Sequence, residues 1–106
     1  MNTNHAIWRL YTEDTGAQYT PTLQPLAAKH LEAFTIFRGS GIWHGHFEPA
    51  AIIETVAPDT RETAERIAAL ASEIATVNHQ ETVLVVKLPV ESVTAFGASN
   101  LPPSRD

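Results

Sequence analysis

"AFTIFRGSGIWHGHFEPAAIIETVAP", residues 33–58, decides the fold. Both ends of the stretch are rich in β-branched and aromatic side chains, which suit a pleated and half-buried strand. Its middle carries Gly39, Gly41 and Gly45, a composition that weakens a helix and favours a turn. Two strand-forming runs around a glycine-bearing centre predict a β-hairpin. "AFTIFRG" opens one strand, and "EPAAIIETVAP" forms the other and stops at Pro58. With the turn placed around His46, Arg38 faces Glu54, and a cross-strand ion pair is expected.

Working outward, "DTRETAERIAALASEIATVNHQ", residues 59–80, follows the hairpin. Ile67, Leu70, Ile74 and Val77 recur at three- and four-residue steps and predict an amphipathic helix. Asp59 with Glu62 gives it a capping-box-like start, and Asn78 a stop. Glu62–Arg66 and Arg61–Glu65 are pairs one turn apart. Before the hairpin, "TLQPLAAKHLEA", residues 22–33, places Leu23, Leu26, Ala27, His30 and Leu31 on one stripe. This predicts a short helix with Thr22 as N-cap and Pro25 in the first turn. "HAIWRLYT", residues 5–12, and "ETVLVVKLPV", residues 81–90, supply the outer strands.

The order β-α-β-β-α-β is the split βαβ, ferredoxin-like arrangement. The expected fold is α+β, a four-stranded antiparallel sheet with two helices on one face. Residues 1–96 form a single domain in this reading. Residues 97–106, "GASNLPPSRD", form a polar, proline-bearing tail expected to be mobile.

Composition narrows the function classes. The chain has 106 residues, enough for one domain. Twelve acidic residues against seven Lys and Arg give a net charge of −5, which argues against nucleic acid and anionic membrane as partners. With no cysteine, disulfides and thiolate zinc sites are excluded, and a reducing cytoplasm is the expected location. The first residues lack the basic and apolar blocks of a signal peptide, and no apolar run is long enough to span a bilayer.

The strands carry apolar residues in both parities. Trp8 and Leu10 oppose Ile7 and Tyr11, and Phe34 and Ile36 oppose Phe37. Ile52 and Val56 oppose Ile53 and Ala57, and Leu84, Val86 and Leu88 oppose Val83 and Val85. Two helices cover one face only. A bare apolar face predicts self-association as a closed homo-oligomer, a trimer ahead of a dimer. The alternative is a tail folded back over that face.

Four charged residues break the apolar rule, one per strand: Arg9, Arg38, Glu54 and Lys87. They are either an ion pair with two solvated side chains, or a charged pocket at a subunit boundary that holds a small anionic ligand. In the hairpin, Gly39, Ser40 and Gly41 suggest a bulge, or backbone amides that cradle a phosphate. Trp43 and His44 lie beside them. In an extended strand His44, His46 and Glu48 share one side, a donor set suited to zinc or a related ion. The competing reading is a polar hairpin tip. His79, Gln80 and Glu81, before the last strand, are either a polar connection or contributors to a pocket. No spacing names a cofactor.

The β-α-β-β-α-β layout, the long hairpin and the "LPVES" ending at residues 88–92 resemble the CutA and PII-like group of small ferredoxin-fold trimers. That resemblance implies trimers whose clefts bind nucleotides or metal ions. "FTIFRGSGIWHG", "EPAAIIE" and "NHQETVLVV" are also similar to an uncharacterised bacterial family with a G-x-W hairpin and a QE-x-V-L final strand. Gly41, Trp43, Gln80, Glu81, Val83 and Leu84 carry that match.

The leading expectation is a ligand-binding or regulatory oligomer with its site between subunits near residues 38–48. Arg38, Ser40, Trp43, His44, Glu54 and Lys87 are its candidate contacts. The other is a small cofactor-independent monooxygenase or isomerase of the dimeric α+β barrel type. Its pocket would lie between sheet and helices, with His30, Trp8 or His79 as the polar group.

Overall fold

The computed structural model describes residues 4–14 and 19–98. Six elements follow in the expected order: β1 (His5–Glu13), α1 (Tyr19–His30), β2 (Thr35–Trp43), β3 (His46–Pro58), α2 (Arg61–Asn78) and β4 (Leu84–Pro89). All strand pairs are antiparallel, and the sheet runs β2-β3-β1-β4. This is the ferredoxin-like α+β arrangement. No helix of the described residues is long and apolar enough to cross a membrane. The tail from residue 99 onward lies outside the described residues.

The core lies between the helices and one face of the sheet. Ala6, Trp8 and Leu10 of β1 and Ala51 and Ile53 of β3 meet Leu23, Ala27 and Leu31 on the α1 side and Ile67, Leu70 and Ile74 of α2. The buried α2 positions, beginning at Thr63, recur at three- and four-residue steps, as packing against a flat layer requires. Val77, expected on this stripe, is 44% exposed. The indole N–H of Trp8 is buried with no acceptor among the described residues. The Lys87 ammonium sits 5.5 Å from the centre of its ring.

The helix starts differ from the sequence reading. Thr60, not Asp59, caps α2: its backbone is extended and its hydroxyl accepts the Thr63 N–H at 3.2 Å. Asp59 is drawn away to Lys87, 3.0 Å from its ammonium. The far end closes on His79, which adopts a left-handed φ of 54°. Its N–H and that of Gln80 bond to the carbonyls of Thr76 and Ala75 in a Schellman-type stop. α1 begins at Tyr19, three residues before the expected cap, so Thr22 lies inside the helix and Pro25 in its second turn. Pro25 removes one backbone donor there, and burial of Leu23, Ala27 and Leu31 outweighs the loss.

The hairpin turns at His44 and Gly45, with Trp43 paired to His46. Both turn residues have positive φ, 50° and 79°, the signature of a tight two-residue connection. The turn therefore lies nearer the N-terminus than expected. Arg38 faces Ala51 rather than Glu54, and Glu54 faces Thr35 on one side and Arg9 on the other. The register from Thr35 to Trp43 is unbroken, so the expected bulge at Gly39–Gly41 is absent. β1 stops pairing with β3 at Ala50, so residues 40–49 continue as a two-stranded arm beyond the sheet. The Cα radius of gyration is 15.7 Å with extents of 48 × 30 × 25 Å. A compact chain of this length gives about 13 Å, so the molecule is elongated, with the arm projecting at one end of the sheet.

Candidate functional site

The helix-free face of the sheet is built from the alternate residues of each strand. Ile7, Arg9 and Tyr11 of β1 lie beside Val56, Glu54 and Ile52 of β3. Leu88, Val86 and Leu84 of β4 flank β1 on the other side, and Phe37 lies opposite Ile52. Three of these side chains are exposed: Phe37 at 47%, Val56 at 47% and Leu84 at 57%. At the middle of this apolar surface the Arg9 guanidinium Nε donates to Glu54 Oε1 at 2.7 Å. The Arg9 pKa is raised, first by that hydrogen bond and then by one that Arg9 donates to the Tyr11 oxygen. The pair is half-buried, so each charge has its counterpart within the face.

The arm carries a second apolar group at its tip. Ile42, Trp43 and Phe47 are 70%, 63% and 63% exposed. The rings of Trp43 and His44 meet edge to face, 5.0 Å between centres. Ser40 lies opposite Pro49 within the arm. Arg38 stands at its base, with Nε 3.3 Å from a carboxylate oxygen of Asp14, just past the end of β1.

The expected site residues therefore fall in three places. Arg38, Ser40, Trp43 and His44 follow one another along the arm. Glu54 lies on the open face, held by Arg9. Lys87 pairs with Trp8 in the ladder and lies on the helix side of the sheet, engaged by Asp59. One ligand on one protomer cannot touch all six. The expected metal set is also dispersed. His46 and Glu48 share a side of β3, but His44 sits in the turn with its own backbone geometry. Among the described residues no group of three His, Asp or Glu is placed to hold a metal ion.

The residues expected for an enzyme pocket are likewise separated. A surface cleft of about 390 Å³ opens where the end of α1, the end of β3 and the start of α2 meet, lined among others by His30, Thr55, Thr63 and Arg66. Neither Trp8 nor His79 lines it. His30 Nε2 is 2.7 Å from Glu73 Oε1, and Lys29 bonds the other oxygen of that carboxylate, which ties α1 to α2. These two partners, His30 first, hold the Glu73 carboxyl below its ordinary pKa.

Gln80 of the QE-x-V-L segment has a structural task that the sequence reading missed. Its side-chain oxygen accepts from the buried Thr12 hydroxyl and from Asn78 Nδ2 at 3.1 Å, and Nδ2 also approaches Thr12 Oγ1 at 3.4 Å. The cluster pins the α2–β4 connection to β1. A signal was available: Thr12 continues the buried parity of Ala6, Trp8 and Leu10, and a buried hydroxyl requires a partner.

No protein-family model matches the chain, and no curated protein matches it. Solved structures do share its fold. A phage SAM lyase in complex with S-methyl-5'-thioadenosine superposes with a TM-score of 0.65 at 14% identity, covering 96% of each chain. A DUF3240 family protein from Shewanella baltica gives 0.62 at 15% identity, covering 92% of this chain and all of the other. At these identities the likeness is one of fold: a four-stranded sheet with two helices on one face, as it occurs in a ligand-bound lyase and in a protein of the DUF3240 family.

Proposed function

We propose that the chain works as a homo-oligomer, a trimer ahead of a dimer, that binds a small anionic ligand at the subunit boundary beside the arm. The observation that carries this reading is the open sheet face. Apolar side chains from all four strands surround a satisfied Arg9–Glu54 pair there. Phe37, Val56 and Leu84 leave this face open to water, and copies of the same chain are the cover that a closed symmetric assembly supplies. The resemblance to CutA and PII-like trimers supports the same assembly.

The ligand reading rests on the arm. Trp43 offers a ring for a planar group at the tip, with His44 beside it, and Arg38 a guanidinium for an anion at the base, with Ser40 two residues on. Alternation sets Arg38 and Ser40 on the opposite ribbon face from Trp43, so the two sets meet one ligand only when they come from neighbouring copies. A nucleotide combines a planar base with an anionic phosphate. The phage lyase of the same fold holds a thioadenosine, which supports testing that class first.

Light scattering establishes the assembly, and a thermal-shift panel of nucleotides, nucleosides and divalent metals establishes the ligand. Free ligand at a hundred times its Kd stabilises the bound fold by about 2.7 kcal/mol, a shift of several degrees that Trp43→Ala removes. A panel in which no member raises Tm overturns the ligand part of the proposal.

A further inference from the structure

We infer that the aromatic arm tip of one copy docks on the C-terminal segment, residues 90–98, of the next copy; this rests on the self-association just proposed and adds the contact that closes it. Two apolar projections on the same chain carry the inference. At one end of the sheet the arm holds out Ile42, Trp43 and Phe47. At the other end β4 finishes at Pro89, opposite Ala6, and residues 91–98 are all exposed. This segment presents Val93, 54% exposed, and Phe96, 91% exposed. An isolated two-stranded ribbon is marginal in water, and a nearly naked phenylalanine gains nothing from its own domain.

The two projections cannot satisfy each other within one molecule. His46 and Ala57 are eleven residues apart along β3, about 36 Å at the rise of a strand. Ala57, Ala6 and Pro89 lie side by side across the sheet. Six further residues to Ala95 reach about 21 Å at full extension. An arm at one pole and a matching segment at the other make a head-to-tail contact, which closes into a ring when the rotation permits. Ile42 and Phe47 project from one face of the ribbon and Trp43 from the other, so a segment that wraps the tip gathers all five exposed residues, on the order of 600 Å² at about 150–250 Å² per aromatic side chain. That is roughly half of what a specific interface buries, and the open sheet faces supply the remainder.

The chain has no cysteine, so introduced cysteines report contacts without background. His46→Cys beside Phe47 and Ala95→Cys beside Phe96 are placed in separate chains, mixed and oxidised. Both positions are exposed, and every aromatic of the contact is retained. A disulfide needs Cα atoms about 4.4–6.8 Å apart, so a cross-linked heterodimer well above an Ala68→Cys and Ala95→Cys control pair is the expected result. The His46→Cys/Ala95→Cys double variant gives ladders rather than a compact intramolecular product. In parallel, Trp43→Ser and Phe96→Ser each weaken association at least tenfold, and together no more than either alone. An oligomer that forms without the cross-link overturns the docking and leaves the proposed assembly standing. A chain that stays single at every concentration overturns both.

Discussion

Replacing Leu84 with Glu tests the open face where the substitution harms the isolated domain least. Leu84 lies on β4 opposite Tyr11 and is more than half exposed. The folded protomer therefore loses little packing and gains a solvated carboxylate. In an assembly that covers the face, the consequences reverse. A fully buried leucine is worth about 1.5–3 kcal/mol, and the exposed share of Leu84 corresponds to about 1–1.5 kcal/mol withheld from each copy. A carboxylate drawn into an apolar contact without a partner costs several kcal/mol more. Association should weaken by at least about 3 kcal/mol per copy, more than a hundredfold in the constant at 1.4 kcal/mol per decade. Sedimentation velocity over a wide concentration series reads this directly, with far-UV circular dichroism as the check on folding. The expected result is a multiple of the chain mass for the wild type and a folded single chain for Leu84→Glu. A wild type that remains single throughout, or a variant that assembles equally well, refutes the assignment of this face.

Thr60→Ala removes the α2 cap and should lower stability by about 1 kcal/mol, a fall in Tm of about 4–8 °C for a small domain. Gly45→Ala should cost about 1 kcal/mol in urea unfolding through its positive φ alone, because a Cβ there meets nothing within 4 Å. Gly39→Ala, in ordinary strand geometry and equally open space, should be neutral or mildly stabilising. Glu73 has a depressed folded pKa, so the stability it contributes is present above its ordinary value near 4.5 and is lost as pH falls through the lower folded value. Acid titration of Tm should show a shallower fall in Glu73→Gln than in the wild type.

The order of elements was legible because each has its own period: alternation in β1 and β3, and a three–four repeat in α2. The two apolar faces were legible for the same reason, since strand parity assigns every side chain to one side once a single residue is placed. Register was not. Arg38 and Glu54 looked like partners because a turn around His46 sets them opposite, yet moving the turn to His44 and Gly45 gives Glu54 to Arg9. Partner choice for Arg38 and Lys87 was equally hidden. Asp14 and Asp59 sit in connections, where no periodic pattern announces what a side chain will meet. α1 illustrates the remaining loss. Thr22 and Pro25 carry correct local chemistry for a helix start, yet the helix begins at Tyr19, and the burial of Leu23 and Ala27 holds it together across Pro25.

The chain's two tryptophans occupy opposite environments, Trp8 within the core and Trp43 at the end of the arm. Their fluorescence therefore separates into a blue, shielded emitter that follows unfolding and a second one, red and quenchable when the arm tip is open and shifted to the blue when the tip is covered. A Trp43→Phe protein leaves only the first signal. Subtracting it from the wild-type spectrum yields an optical probe of arm contacts that needs no label.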